Sequence, residues 1–212
     1  FYKDRVDYPF DGKTIFLNLP LVKGPLKIFA KVIFLFTRIF SLREIKKQIR
    51  PDFSISFGPE ANVVNVFSNF GLKNVKKIVS VRIVESVHFS RYPLFLRWYY
   101  NFVMKRVYKM ADLIVPNSQA VADDLTKNFS AQREKIFVIN NLFDIEKIEK
   151  LSKEPLGEFE ELFSKNQVII TAGRLDLPQK GFQYAIEAFP KIKEKFPEAV
   201  FVILGEGDYE KE

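Results

Sequence analysis

The feature that most limits what this chain can fold into is an alternation along its first two thirds. Strand-like apolar runs recur at KTIFLNL, FSISF, KKIVSVRI, DLIVPN and KIFVIN, and most are followed by a loop and a helix-length pattern. That alternation predicts a parallel sheet with helices on both faces. After Asn140 it lapses. The stretch NLFDIEKIEKLSKEPLGEFEELFSKN holds short charged helical pieces around Pro155 and Gly157, the pattern of an interdomain connection. A strand, a helix and a strand then follow in QVIITAGRL, GFQYAIEAFPKIKEKF and AVFVILGEG.

The expected fold class is therefore α/β, with two Rossmann-like doubly wound domains. Residues 1–145 form the first, 146–165 a linker and 166–212 the start of the second. Two strands and one helix carry too little apolar surface for an independent core, so the second domain is expected to be incomplete. The chain lacks an initiator Met and ends in LGEGDYEKE just after a strand, as a piece cut from a longer protein at both ends would.

Composition narrows the chemistry. A chain that is 47% hydrophobic and 15% aromatic is a folding one. With no cysteine and a single histidine, His88, it has no disulfide framework, thiolate metal site or His-rich zinc cluster, and a reducing compartment suits it. The segment LKIFAKVIFLFTRIF is interrupted by Lys27, Lys31 and Arg38, short of the roughly 18 apolar residues of a spanning helix. Charge is uneven. Residues 1–145 hold 23 Lys and Arg against 12 Asp and Glu, net +11, and residues 146–212 hold 10 against 14, net −4. Opposite signs suggest domains with different partners.

GRLDLPQKG, residues 173–181, lies between a strand and a helix, where doubly wound proteins gather ligands at the carboxyl ends of strands. Arg174 presents a planar fork of donors and Lys180 a mobile point charge, which together suit a diphosphate. The competing reading is a surface loop in which Arg174 pairs with Asp176 and Lys180 is solvated. Gly205 and Gly207 in LGEGDYE permit either close backbone approach to a ligand or an ordinary turn that needs glycine dihedrals. Glu210 stands where a dinucleotide fingerprint would have its third glycine.

TAGRLDLPQKGFQYAIEAF followed by a strand ending LGEGDYE resembles the start of the donor-binding domain of the retaining glycosyltransferases of family 4, which have the GT-B fold. DFSISFGPEANVVNVF, KIVSVRIVES, ADLIVPNSQAVADDL and IFVINNLFDIEKI fall in that family's order, so the resemblance runs from about residue 50 to 212. It implies sugar transfer with retention, from a nucleotide-sugar to a saccharide or lipid-linked acceptor in glycan or polysaccharide biosynthesis. In that family the Arg and Lys matching Arg174 and Lys180 contact the diphosphate, so both are carried over as catalytic. Gly173, Gly205 and Gly207 join them as donor-binding residues. No metal or other cofactor is expected.

Some family features depart here. The paired-Glu motif would lie beyond residue 212, the first strand with its glycine-rich loop is expected to be missing, and Leu142 stands in a place where proline is usual. By itself the chain is expected to be inactive. On the acceptor side, VSVRIVESVHFSRYP is similar to the stretch that faces the interdomain cleft. Arg82, Glu85 and His88 are expected there in a loop, with Gly58 nearby. Arg82 is the first candidate, and His88 competes with a surface or packing role.

Two further segments mix cations with aromatics. In LFLRWYYNFVMKRVYKM, Arg97, Asn101, Lys105 and Lys109 fall at successive i+4 positions, and Lys27, Lys31 and Arg38 recur similarly upstream. Such helices lie on anionic membranes or cover a sheet with one wet edge. The expected location is cytoplasmic, with peripheral attachment to the inner membrane face as an option. A basic α/β module for nucleic acid or nucleotide without transferase activity is the alternative. It has only charge behind it, since no helix-turn-helix, ribonucleoprotein or zinc pattern is present, and nucleic acid is not an expected partner. A dinucleotide oxidoreductase is disfavoured by Glu210.

Overall fold

A computed structural model describes Gly12, Ile15, residues 27–175 and residues 180–207, with backbone alone for 27–31. Apart from Ile15, the expected strand KTIFLNL lies outside the described residues. The chain divides into two compact units, one up to Leu142 and one from Phe143 onward.

The first unit begins with α1 (Lys27–Ile49), which ends where Arg50 turns left-handed at φ 50 ahead of Pro51. Next come β1 (Phe53–Phe57), α2 (Pro59–Phe67), β2 (Lys76–Val81), α3 (Glu85–Ser90), α4 (Leu94–Met110), β3 (Leu113–Pro116) and α5 (Gln119–Phe129). Ser118 caps α5 by accepting a hydrogen bond from Val121 N at 3.3 Å, and Ser130 closes it in the left-handed conformation.

The sheet is parallel with strand order β1-β2-β3. An order that advances in one direction through right-handed crossovers places every crossover helix on the same face. The core accordingly lies on one side, where Val79, Val81 and Ile114 pack against Val66, Met104, Val107, Tyr108, Val121 and Leu125. Among the described residues the crossover helices of this three-stranded sheet lie on one face.

FSISF places its apolar residues on the uncovered face. Phe53, Ile55 and Phe57 are exposed, while Ser54 and Ser56 turn toward α2. There they join a buried polar network. Ser54 Oγ donates to Asn65 Oδ1 at 2.6 Å, Ser56 Oγ to Asn62 Oδ1 at 2.7 Å, and Asn62 Nδ2 to the Ser80 carbonyl at 3.0 Å. Lys46 reaches in from α1 and donates to both Asn65 oxygens at 2.8 Å. Burial, with Lys77 nearby, lowers its pKa to about 8.

The expected strand KIFVIN forms only a bridge between Ile114 and Ile136. The Phe137 and Ile139 amides donate to the carbonyls of Ile114 and Pro116, so the segment is extended beside β3 but not a full strand.

The second unit contains α6 (Ile145–Leu151), α7 (Glu160–Lys165), β4 (Gln167–Ala172), α8 (Phe182–Lys195) and β5 (Ala199–Leu204). Asp144 caps α6 through a hydrogen bond from Lys147 N at 2.9 Å. β4 and β5 pair in parallel from Gln167 opposite Ala199 to Ala172 opposite Leu204. Among its described residues Phe182 and Ala199 are the buried apolar ones, while Ile169, Ile170 and Ile186 remain exposed. The unit thus holds two parallel strands and the crossover helix between them, the arrangement that opens a doubly wound domain.

Candidate functional site

In the second unit the backbone keeps pairing after both strands end. Gly173 N donates to the Leu204 carbonyl at 2.9 Å and Leu175 N to the Glu206 carbonyl at 3.0 Å, so the two connections leave the sheet side by side. Glycine is required by that proximity. A β-carbon on Gly205 would lie 1.9 Å from the Gly173 oxygen, and one on Gly207 would lie 2.6 Å from the Leu175 oxygen. Neither glycine has a positive φ, so special dihedrals are not the reason for them. Backbone approach is indeed close, but to the neighbouring connection.

Gly181 does adopt the left-handed region, at φ 69 and ψ 18, as it leads into α8. Its predecessor Lys180 folds back over the end of β4. The Lys180 Cδ and Cε atoms lie 3.6 Å from the position a β-carbon on Gly173 would take. Gly173, Lys180 and Gly205 therefore meet in one place, with Arg174 next in the chain and both basic residues exposed. α8 begins without a side-chain cap among the described residues; Tyr184 N donates to the Gly181 carbonyl at 3.1 Å, and the N-terminal end of the helix lies at this same end of the sheet. Asp176 and Glu210 lie outside the described residues.

In the first unit, candidate residues also line the carboxyl ends of the strands. Gly58 follows β1 with φ 87, and a β-carbon there would meet nothing within 4 Å, so its surroundings are open. Arg82 follows β2 and is exposed; its Nη2 donates to Asn141 Oδ1. Asn117, just after β3, donates through Nδ2 to the Arg82 carbonyl at 3.4 Å. Neither Asn117 nor Asn141 was named as a site residue from the sequence; Asn117 follows the strand LIVP, and Asn141 stands just before Leu142 in the turn where proline is usual. The uncovered sheet face forms a shallow apolar groove through Ile55, Ile78, Val115 and Ile139 that ends at Arg82 and Asn141.

Glu85 and His88 need correction, because the loop expected around them is helix α3. Its first turn directs Glu85 inward to complete burial beside Tyr108 and Asp124. Burial raises the Glu85 pKa to about 7; Tyr108 opposes this and the Asp124 charge adds to it. Neither Glu85 oxygen nor the Tyr108 hydroxyl has a partner at hydrogen-bond geometry among the described residues. The Tyr108 hydroxyl is itself raised well above its ordinary value, first by burial and then by the Glu85 charge. So placed, Glu85 is in no position to touch an acceptor. His88 is half-buried, its ring edge-on to Phe89 at 5.4 Å and to Tyr92 at 5.7 Å between centroids, which is a packing environment.

Comparison with known proteins adds a second line of observation. Residues 6–147 match the sequence model of Glycosyltransferase Family 4, and residues 152–212 match that of Glycosyl transferases group 1. An uncharacterized glycosyltransferase of Methanocaldococcus jannaschii is 29% identical over 217 residues, covering 98% of this chain and 52% of that protein. The N-acetylgalactosamine-N,N'-diacetylbacillosaminyl-diphospho-undecaprenol 4-alpha-N-acetylgalactosaminyltransferase of Campylobacter jejuni is 35% identical over 109 residues, 50% of this chain and 27% of that one. The chain thus spans about half the length of the first relative and less of the second. Among solved structures, Anabaena HepE in complex with UDP superposes with a TM-score of 0.59 at 19% identity, over 88% of this chain and 46% of that chain. At that identity the likeness is one of fold.

Proposed function

Since this chain belongs to Glycosyltransferase Family 4, we propose that the protein moves a sugar with retention from a nucleotide-sugar to a saccharide or lipid-linked acceptor, and that Arg174 and Lys180 hold the donor diphosphate. The observation that carries this reading is the convergence of Lys180, Gly173 and Gly205 beside Arg174 at the carboxyl end of a parallel sheet. Negative charge grows on the diphosphate as the bond from the sugar C1 to oxygen breaks, and fixed cations stabilise it most in the transition state. On this reading the two side chains take the place of a metal ion at the leaving group. The adjacent N-terminus of α8 supplies further positive potential.

Two relatives support the choice of substrates. HepE was crystallised with UDP, and the Campylobacter transferase is named for a diphospho-undecaprenol acceptor. In the first unit, Arg82 is the proposed acceptor contact, held in position by Asn141 and Asn117. The test is a screen of nucleotide-sugars against the intact protein, by thermal shift and by release of the nucleoside diphosphate. A donor that raises the melting temperature and is turned over supports the proposal. If no nucleotide-sugar does either while the protein remains folded, it fails.

A further inference from the structure

Helix α4 covers the sheet with one face and leaves an unusual opposite face in solvent. Met104, Val107 and Tyr108 are buried, whereas Leu94 is 81% exposed and Phe95 and Trp98 are each 70% exposed. Tyr99, Phe102 and Met110 are exposed as well. The outward residues form a ridge at i, i+4 and i+8. Trp98 stacks on Phe102 with ring centroids 5.8 Å apart, and the Arg106 guanidinium lies 4.8 Å over the Phe102 ring. Asn101, expected in a polar stripe with Arg97, Lys105 and Lys109, is only partly exposed, while those three cations are exposed.

Charge on this segment has one sign. Between Glu85 and Asp112 the chain carries Arg91, Arg97, Lys105, Arg106 and Lys109 and no carboxylate. Among the described residues no acidic side chain forms an ion pair with any of these five. The tip of the ridge is thus apolar and aromatic, and cations flank and follow it. A protein surface would need a carboxylate-rich groove to match both features. An anionic bilayer matches them together, since Trp, Phe and Leu settle at the headgroup boundary while long Arg and Lys side chains reach the phosphates. No described helix is long and apolar enough to cross a membrane.

We propose that the outward face of α4, led by Leu94, Phe95, Trp98 and Phe102 and ringed by Arg97, Lys105, Arg106 and Lys109, docks the first unit on an anionic phospholipid bilayer. The docking needs no nucleotide-sugar, so it stands or falls separately from the proposed transfer reaction.

Trp98 is the only tryptophan of the chain and therefore reports on this face without labelling. The 212-residue chain is titrated with vesicles of phosphatidylcholine alone and of phosphatidylcholine mixed with phosphatidylglycerol. The expected result is a blue shift of Trp98 emission and quenching by brominated acyl chains, with the mixed vesicles only. Binding should weaken as salt shortens the Debye length from about 10 Å at 0.1 M to about 3 Å at 1 M. Lys105→Glu with Arg106→Glu should reduce vesicle affinity by roughly thirtyfold or more. Leu94→Ser with Phe95→Ser should weaken binding while leaving its salt dependence in place, and circular dichroism checks that both variants remain folded. Absence of binding to the anionic vesicles, or equal binding to neutral ones, would overturn the proposal. So would a Trp98 shift that appears with rising protein concentration and no lipid, which would make the face a contact between copies.

Discussion

Gly205 lies so close to the backbone of Gly173 that a β-carbon built on it would sit 1.9 Å from the Gly173 carbonyl oxygen. The contact joins the connection after β5 to the connection after β4, which carries Arg174. An obstacle made of backbone cannot rotate away as a side chain can.

Gly205→Ala is therefore expected to push the two connections apart and to destabilise the second unit by about 2 kcal/mol or more. Hydrogen exchange at the Gly173 and Leu175 amides, which bond to Leu204 and Glu206, reports the separation directly. Unchanged protection in the variant would show that the two connections do not need glycine at this point.

Arg174→Ala and Lys180→Ala remove exposed side chains at the same place, so the unit should stay folded in both. Each is expected to lower kcat/KM of the intact protein by roughly a hundredfold, the cost of losing one charged donor to a leaving group, about 3 kcal/mol. Arg174→Lys should recover only part of the loss, because an ammonium lacks the two-pronged geometry of guanidinium. Wild-type turnover in the alanine variants would remove the diphosphate role from this pair.

The order of elements was legible from period and punctuation, and less so the direction in which side chains face. In FSISF the alternation of apolar and polar residues marks a strand, but the apolar side is the one that α2 does not cover. What decides the facing is the pairing of Ser54 and Ser56 with Asn62 and Asn65, a contact between two elements that no local pattern encodes. Glu85 is a similar case. Its residue type favours solvent, and only the packing of α3 against α4 and α5 places it beside Tyr108. Arg174, Lys180 and Gly173 were legible because a strand, a glycine and a helix start fix their positions within one short stretch. Asn117 and Asn141 are far apart in the chain, and only the parallel sheet brings both to Arg82.

Arg82 sits between those two asparagines at the strand ends, so its substitution separates acceptor from donor effects. Arg82→Ala should raise KM for the acceptor about tenfold, the loss of one charged hydrogen-bonding group, and leave donor affinity unchanged. Asn141→Ala should produce a smaller change in the same direction, since it removes only the partner that fixes the guanidinium. A loss confined to donor binding would place Arg82 on the other substrate.

The last prediction concerns Glu85, whose folded pKa of about 7 stands above the ordinary 4.5 because burial disfavours the carboxylate. Between these values the folded state holds a proton that the unfolded chain has released, so stability must fall as pH rises. The contribution is fully present below 4.5 and lost once pH passes 7. A shift of this size corresponds to on the order of 3 kcal/mol. Glu85→Gln keeps the shape and cannot ionise, so it should match the wild type near pH 4 and exceed it in stability above pH 7. Other carboxylates titrate in both proteins and cancel in the difference. Chemical denaturation at a series of pH values gives that difference directly; if the two curves run parallel from pH 4.5 to beyond 7, Glu85 is not the buried proton-holding group that its place between α3, α4 and α5 makes it.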